Sequence, residues 1–156
     1  MAVTTTLDAT DRRLLMLLQA DASLTNQALA ERAHISPATC LRRVRRLVDA
    51  GVIERHTAIV SPDALGAGIT AVLEVTLDRQ DVGALAAFEA HVLDEAAVQQ
   101  CYRVAAGPDF VLIVYVPDMP AYHAFVQRCL TAEANVRNVR AFFAVKRSKF
   151  APTIPV

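Results

Sequence analysis

Four arginines crowd five consecutive positions of this chain: Arg42, Arg43, Arg45 and Arg46. A guanidinium keeps its charge and presents a rigid fork of donors that fits a phosphate or a guanine edge. At about 100° per residue on a helix, Cys40, Val44, Leu47 and Val48 share one side. Ala38, Arg42, Arg45 and Arg46 fall opposite, with Thr39 and Arg43 on one flank. Short residues, Pro37, Ala38 and Thr39, precede the arginines, so the first turn can approach base edges closely while the longer side chains reach guanine or backbone. This is the pattern of a recognition helix in a DNA major groove, with Ser36, Pro37, Ala38, Thr39, Arg42, Arg43, Arg45 and Arg46 as the DNA-binding candidates. The plainer alternative is a solvated helix face. Acids one turn away are scarce, Asp49 being the main one, so the arginines would repel one another without an anionic partner.

The surrounding residues supply the elements that such a helix needs. Ser36 is a favoured N-cap, Pro37 sits where a helix tolerates proline, and Gly51 stops the helix after about Ala50. Upstream, Asp8 caps a first helix with Asp11 in its first turn, and Leu14, Leu15, Leu17 and Leu18 form its apolar stripe to about Ala22. Thr25 caps a second helix, and His34-Ile35 makes a short turn. Residues 52–60 read as a strand, which completes a winged helix-turn-helix. Ser61-Pro62, Gly66 and Gly68 punctuate the chain, giving expected domains of 1–60 and 69–156 with a linker at 61–68.

The second half changes period. Ile69–Leu77 alternates as a half-buried strand, and Val82, Leu85, Phe88 and Val92 follow helical spacing. Val98–Ala105 and Phe110–Val116 read as strands around a Gly107-Pro108 turn. Tyr122, Phe125, Val126 and Cys129 mark a helix, and Val139–Val145 a last strand. The order βαββαβ is a ferredoxin-like split, so the whole chain reads as α+β. Phe110–Val116 is apolar on both faces, which implies that a partner chain covers the side away from the helices.

Formal net charge is zero, so no global basicity drives binding; the charge is local, six arginines against two acids over residues 32–56. Cys40, Cys101 and Cys129 are odd in number and lack CxxC spacing, and the four histidines have no metal-ligand spacing, so neither a disulfide framework, a metal nor a cofactor is expected. No membrane span or signal peptide is apparent, and a cytoplasmic protein is expected.

The stretches LDATDRRLLMLLQADA, LAERAHISPATCLRRVRRLVDAGVIERHTAIVSPDALG, QQCYRVAAGPDFVLIVYVPDMPAYHAF and VRAFFAVKRSK cover nearly the whole chain, and together they resemble the Lrp/AsnC (feast/famine) family of transcriptional regulators. The resemblance implies a DNA-binding winged helix followed by a RAM-type βαββαβ domain. It implies dimers that assemble further, up to octamers, and an amino-acid effector held between dimers. The family's effector loop, V-[ST]-G-x-x-D, aligns with Val104, Ala105, Ala106, Gly107, Pro108 and Asp109, so alanines stand where the family has a hydroxyl residue and a glycine. On the family pattern Asp109 would take the ligand ammonium, and Met119, Phe142, Phe143 and Ala144 would line the side-chain pocket. The expected partner is double-stranded DNA with a pseudo-palindromic operator. Two alternatives of the same fold are a nucleoid-type architectural DNA binder and a tetrapyrrole decarboxylase. The His/Arg-rich segment that the decarboxylase would need after the linker reads GAGITAVLEV here. No catalytic dyad is apparent, so no enzyme is expected.

Overall fold

The structure, a computed structural model, describes residues 6–66, 68–131 and 135–156. The chain divides into two compact units. One runs up to Ile59 and takes in Lys149–Val156; the other is Val60–Ser148.

The first unit holds three helices, α1 (Ala9–Ala20), α2 (Asn26–Ala33) and α3 (Pro37–Asp49). Each begins on a side chain that satisfies an orphan amide. The Asp8 carboxylate accepts from the Asp11 amide at 2.8 Å and Asp11 returns the bond, closing a capping box. Thr25 accepts from Ala28, and Ser36 from Thr39. His34 ends α2 at φ +57°, a left-handed cap that a non-glycine residue rarely adopts. Its turn is closed by bonds from the His34 and Ile35 amides to the Glu31 and Ala30 carbonyls. Leu14, Leu29, Ala30, Ala33 and Cys40 form the core.

Residues 52–60 are not a strand. The Val52 and Ile53 amides close the end of α3 on the Leu47 carbonyl, and 54–60 are exposed and without regular structure. The β-branched residues Val52, Ile53, Thr57, Ile59 and Val60 are present, but no described strand runs beside them, and a strand needs a neighbour for its amides. The final segment packs on α1: the Gln19 side-chain amide donates to the Ile154 carbonyl at 3.0 Å and accepts from the Ile154 amide at 2.7 Å. Met16 and Ala20 lie beside Pro155 and Val156.

The second unit contains β1 (Ile69–Leu77), α4 (Val82–Leu93), β2 (Val98–Arg103), β3 (Phe110–Val116), α5 (Met119–Val126, continued by a π-type turn over Gln127–Thr131) and β4 (Val136–Phe143). The strands form one antiparallel sheet in the order β2-β3-β1-β4, the ferredoxin-like arrangement. β2 stops two residues short of the expected end because Val104 turns back, its amide bonding the Asp109 carbonyl. β4 begins three residues early, and the Ala144 amide bonds the Thr70 carbonyl just beyond its last residue. A 3-10 turn, Pro62–Leu65, occupies part of the expected linker.

One face of the sheet, with Leu73, Val75, Phe110 and Leu112, is sealed by Leu85, Phe88 and Val92 of α4 and Phe125 of α5. Phe88 meets Phe110 at 4.9 Å between ring centroids. The opposite face carries Val72, Val111, Ile113 and Tyr115, half-buried, with Tyr102 and Phe142 exposed and one Glu74–Arg140 ion pair at 3.1 Å. Tyr115 lies over Gly68 and leaves no room there for a side chain.

Candidate nucleic-acid interface and ligand loop

The helix-turn-helix is positioned by the caps just described and by Asn26, whose side-chain amide donates to the Pro37 carbonyl at 2.9 Å and ties the start of α2 to the start of α3. Ser36, Pro37 and Ala38 are exposed at the head of α3. Thr39 is half-buried, its hydroxyl accepting from the Ser36 hydroxyl at 2.9 Å. Behind them Arg42 and Arg45 are exposed, and together with Ala38, Leu41, Arg46 and Asp49 they line one shallow open groove.

Arg43 and Arg46 do not stand free on that face. Arg43 Nη1 donates to Asp8 at 2.7 Å and to Asp11 at 2.9 Å, and Arg46 Nη2 is bonded to the other Asp11 oxygen. The side chain of Asp11 is 1% exposed, that of Arg43 23% and that of Arg46 49%. A carboxylate buried that deeply must be paired, and the two arginines pair it. The amide of Asp11, then the Arg43 guanidinium, holds the Asp8 carboxyl below its ordinary range, and Asp8 and Asp11 raise Arg43 in turn. Among the described residues Arg43 Nε is buried with no hydrogen-bond partner, and it is Nη1 that binds the side chain to the acids.

For two of the four crowded arginines the anionic partner therefore comes from the start of α1, not from Asp49. Helical spacing missed it because the acids lie 32 or more residues away in sequence. The one signal was the capping-box pair Asp8 and Asp11 ahead of a leucine stripe. Val48, expected in the core, is also exposed; Cys40 and Leu47 carry the buried side, with Val44 half-buried.

The ligand-loop candidates separate into two groups. Val104, Ala105, Ala106, Gly107 and Asp109 sit where β2 turns into β3, Gly107 at φ +87°. Ala105, Ala106 and Gly107 are exposed. Asp109 already latches the end of β1: its Oδ2 accepts from the Leu77 amide at 2.7 Å and from the Gln80 side chain at 3.1 Å, and its own amide bonds the Val75 carbonyl. Met119, Phe142, Phe143 and Ala144 lie at the other end of the sheet. Phe142 and Phe143 pair with Val72 and Ala71 near the start of β1, Phe143 also meets the Tyr122 ring at 5.0 Å, and Met119 opens α5 just after β3. Ala71 and Leu77 are six residues apart on one strand, roughly 20 Å at the rise of a β-strand. One chain does not bring the two groups together.

Residues 70–154 match the family model for the Lrp/AsnC ligand binding domain, and residues 7–54 match one for winged helix-turn-helix DNA binding. The chain belongs to the Lrp/AsnC family of transcriptional regulators. A leucine-responsive regulatory protein of Rhizobium meliloti is 36% identical over all of both chains. An HTH-type transcriptional regulator of Haemophilus influenzae is 39% identical across 92% of this chain and 86% of its own. A Neisseria meningitidis transcriptional regulator solved as its L-Met complex superposes with a TM-score of 0.86 at 33% identity, covering 96% of this chain and 97% of that one. This Lrp/AsnC chain is thus a DNA-binding transcriptional regulator whose sheet unit is the family's ligand-binding domain. These names favour neither the architectural nor the decarboxylase alternative. Among the described residues, no helix is long and apolar enough to cross a membrane.

Proposed function

We propose that this Lrp/AsnC regulator reads a pseudo-palindromic operator with the outer face of α3, as a cytoplasmic homodimer tuned by an amino-acid-like effector. The observation that carries the reading is the exposed row Ala38, Arg42 and Arg45 behind the short first turn Ser36-Pro37, set on a helix whose other side is anchored by Cys40 and Leu47. Thr39 and its neighbours face base edges, while Arg42 and Arg45 take guanine or phosphate. The working domains are 1–60 for DNA and 69–148 for assembly and sensing, joined by 61–68; the expected second domain is shorter by 149–156, which fold back on the helices.

The open sheet face supplies the dimer contact. Val72, Val111 and Ile113 are apolar and covered by neither helix of their own unit. Higher assembly, up to an octamer, supplies the effector site, because the two groups of ligand-loop candidates reach one ligand only if different chains contribute them. Both bonds to Asp109 fall on Oδ2, so Oδ1 is the oxygen that takes the ligand ammonium. The L-Met complex of the Neisseria neighbour supports an amino acid as the effector class.

The test is a salt titration of operator binding. Arg42→Ala and Arg45→Ala should each lower the slope of log affinity against log salt by about one per chain. Unchanged slopes in both would show that this face does not meet DNA.

A further inference from the structure

The two acids at the start of α1 do more than cap a helix. They neutralise half of the arginine cluster on α3, and they do so unequally. Arg43 bridges both carboxylates and is three-quarters buried, so it is fixed. Arg46 makes a single contact, to Asp11, and half of its side chain faces solvent beside Arg42 and Arg45.

Nearly all sequence-independent affinity for DNA comes from cations that displace counter-ions at phosphates. A regulator's useful quantity is the ratio of operator to random-DNA binding. On the operator, base contacts fix the register of the helix, whereas on random DNA a free arginine settles on whichever phosphate is in reach, so each extra one raises the denominator more than the numerator. We propose that Asp11 is a specificity-setting residue: by holding Arg46 back from the phosphate backbone, it limits binding to random DNA and preserves discrimination for the operator. The proposal rests on the reading of α3 as the DNA-facing helix. Asp11 acts through Arg46 and touches no DNA itself, so it is a positioning residue.

The experiment compares binding of a mixed-sequence duplex, and of an operator selected from a random pool, over a range of salt. Asp11→Asn keeps the side chain's shape and removes its charge. The expected result is tighter binding to the mixed-sequence duplex, a slope steeper by about one per chain, and a smaller operator-to-random ratio. Adding Arg46→Ala to Asp11→Asn should cancel the gain in slope. A purely structural role for Asp11 predicts the reverse, weaker binding to both duplexes together.

In the otherwise unchanged protein, Arg46→Ala should move the random-DNA slope far less than Arg45→Ala, a comparison that decides the matter even if Asp11→Asn does not fold. Equal slope losses for Arg45→Ala and Arg46→Ala would overturn the proposal, as would weakened random-DNA binding by a folded Asp11→Asn protein. If Arg42→Ala and Arg45→Ala both leave the slope unchanged, the assignment of the DNA-facing helix has failed instead.

Discussion

The two units build their candidate sites in opposite ways. In the helical unit the candidate DNA-facing residues all lie on one helix, and two acids of the same chain, Asp8 and Asp11, hold two of them, Arg43 and Arg46. In the sheet unit the ligand-loop candidates lie at opposite ends of the strands, and the apolar face between them has no helix of its own unit on it. A site carried by one helix is complete as soon as that helix folds. A site divided across a sheet is complete only when chains meet, which makes it a natural place for a small molecule to bias assembly.

The largest expected effect breaks this contrast at the sheet. Ile113→Asp places a carboxylate in the middle of the open face, where a partner's apolar surface would desolvate it. Its dimer dissociation constant should rise by about a hundredfold or more, since an unpaired buried charge costs several kcal/mol. Sedimentation reads this directly, and a variant that assembles normally would remove the sheet face from the interface. Asp109→Asn sharpens the contrast with a smaller effect. The amide oxygen can still accept from Leu77, so the fold should hold, while the affinity for a responding L-amino acid should fall roughly tenfold with loss of the charge-assisted bond. Thermal shifts over a panel of L-amino acids give the comparison.

The smallest effect concerns a pair inside one chain. Arg128 grips both Glu95 oxygens at 2.7 Å and holds that carboxyl down to about 2. A depressed folded value means that the stabilisation is fully present above the ordinary glutamate range and is lost as pH falls through about 2. Arg128→Ala should therefore melt slightly earlier at neutral pH, and the two melting curves should converge at the acid end. A difference that persists there would mean that Arg128 stabilises by packing and not by charge.

Local chemistry made most of the fold legible. Asp8, Thr25, Ser36 and Gly51 mark helix ends through bonds to residues a few positions away, and the apolar periods place β1, β3 and both helices of the sheet unit. What escaped depends on distant partners. The strand expected at 52–60 has the right residues and no neighbour. Arg43 and Arg46 sit on the outer arc by spacing, yet acids from the first helix claim them. On the family pattern Asp109 is a ligand contact, and the structure adds a second duty, fastening β1. Spacing along one helix cannot reveal which side chains another helix delivers.

The clasp between Gln19 and Ile154 returns the chain to the unit in which its helices lie. Because the chain leaves the helices near Ile59 and its last residues return to them, the sheet unit is spliced into the helical one and tethered at both ends. From the end of β4, residues 144–153 lead to Ile154, whose two hydrogen bonds with Gln19 hold it on α1. The chain therefore crosses between the two units twice, once after Ile59 and once after Ser148.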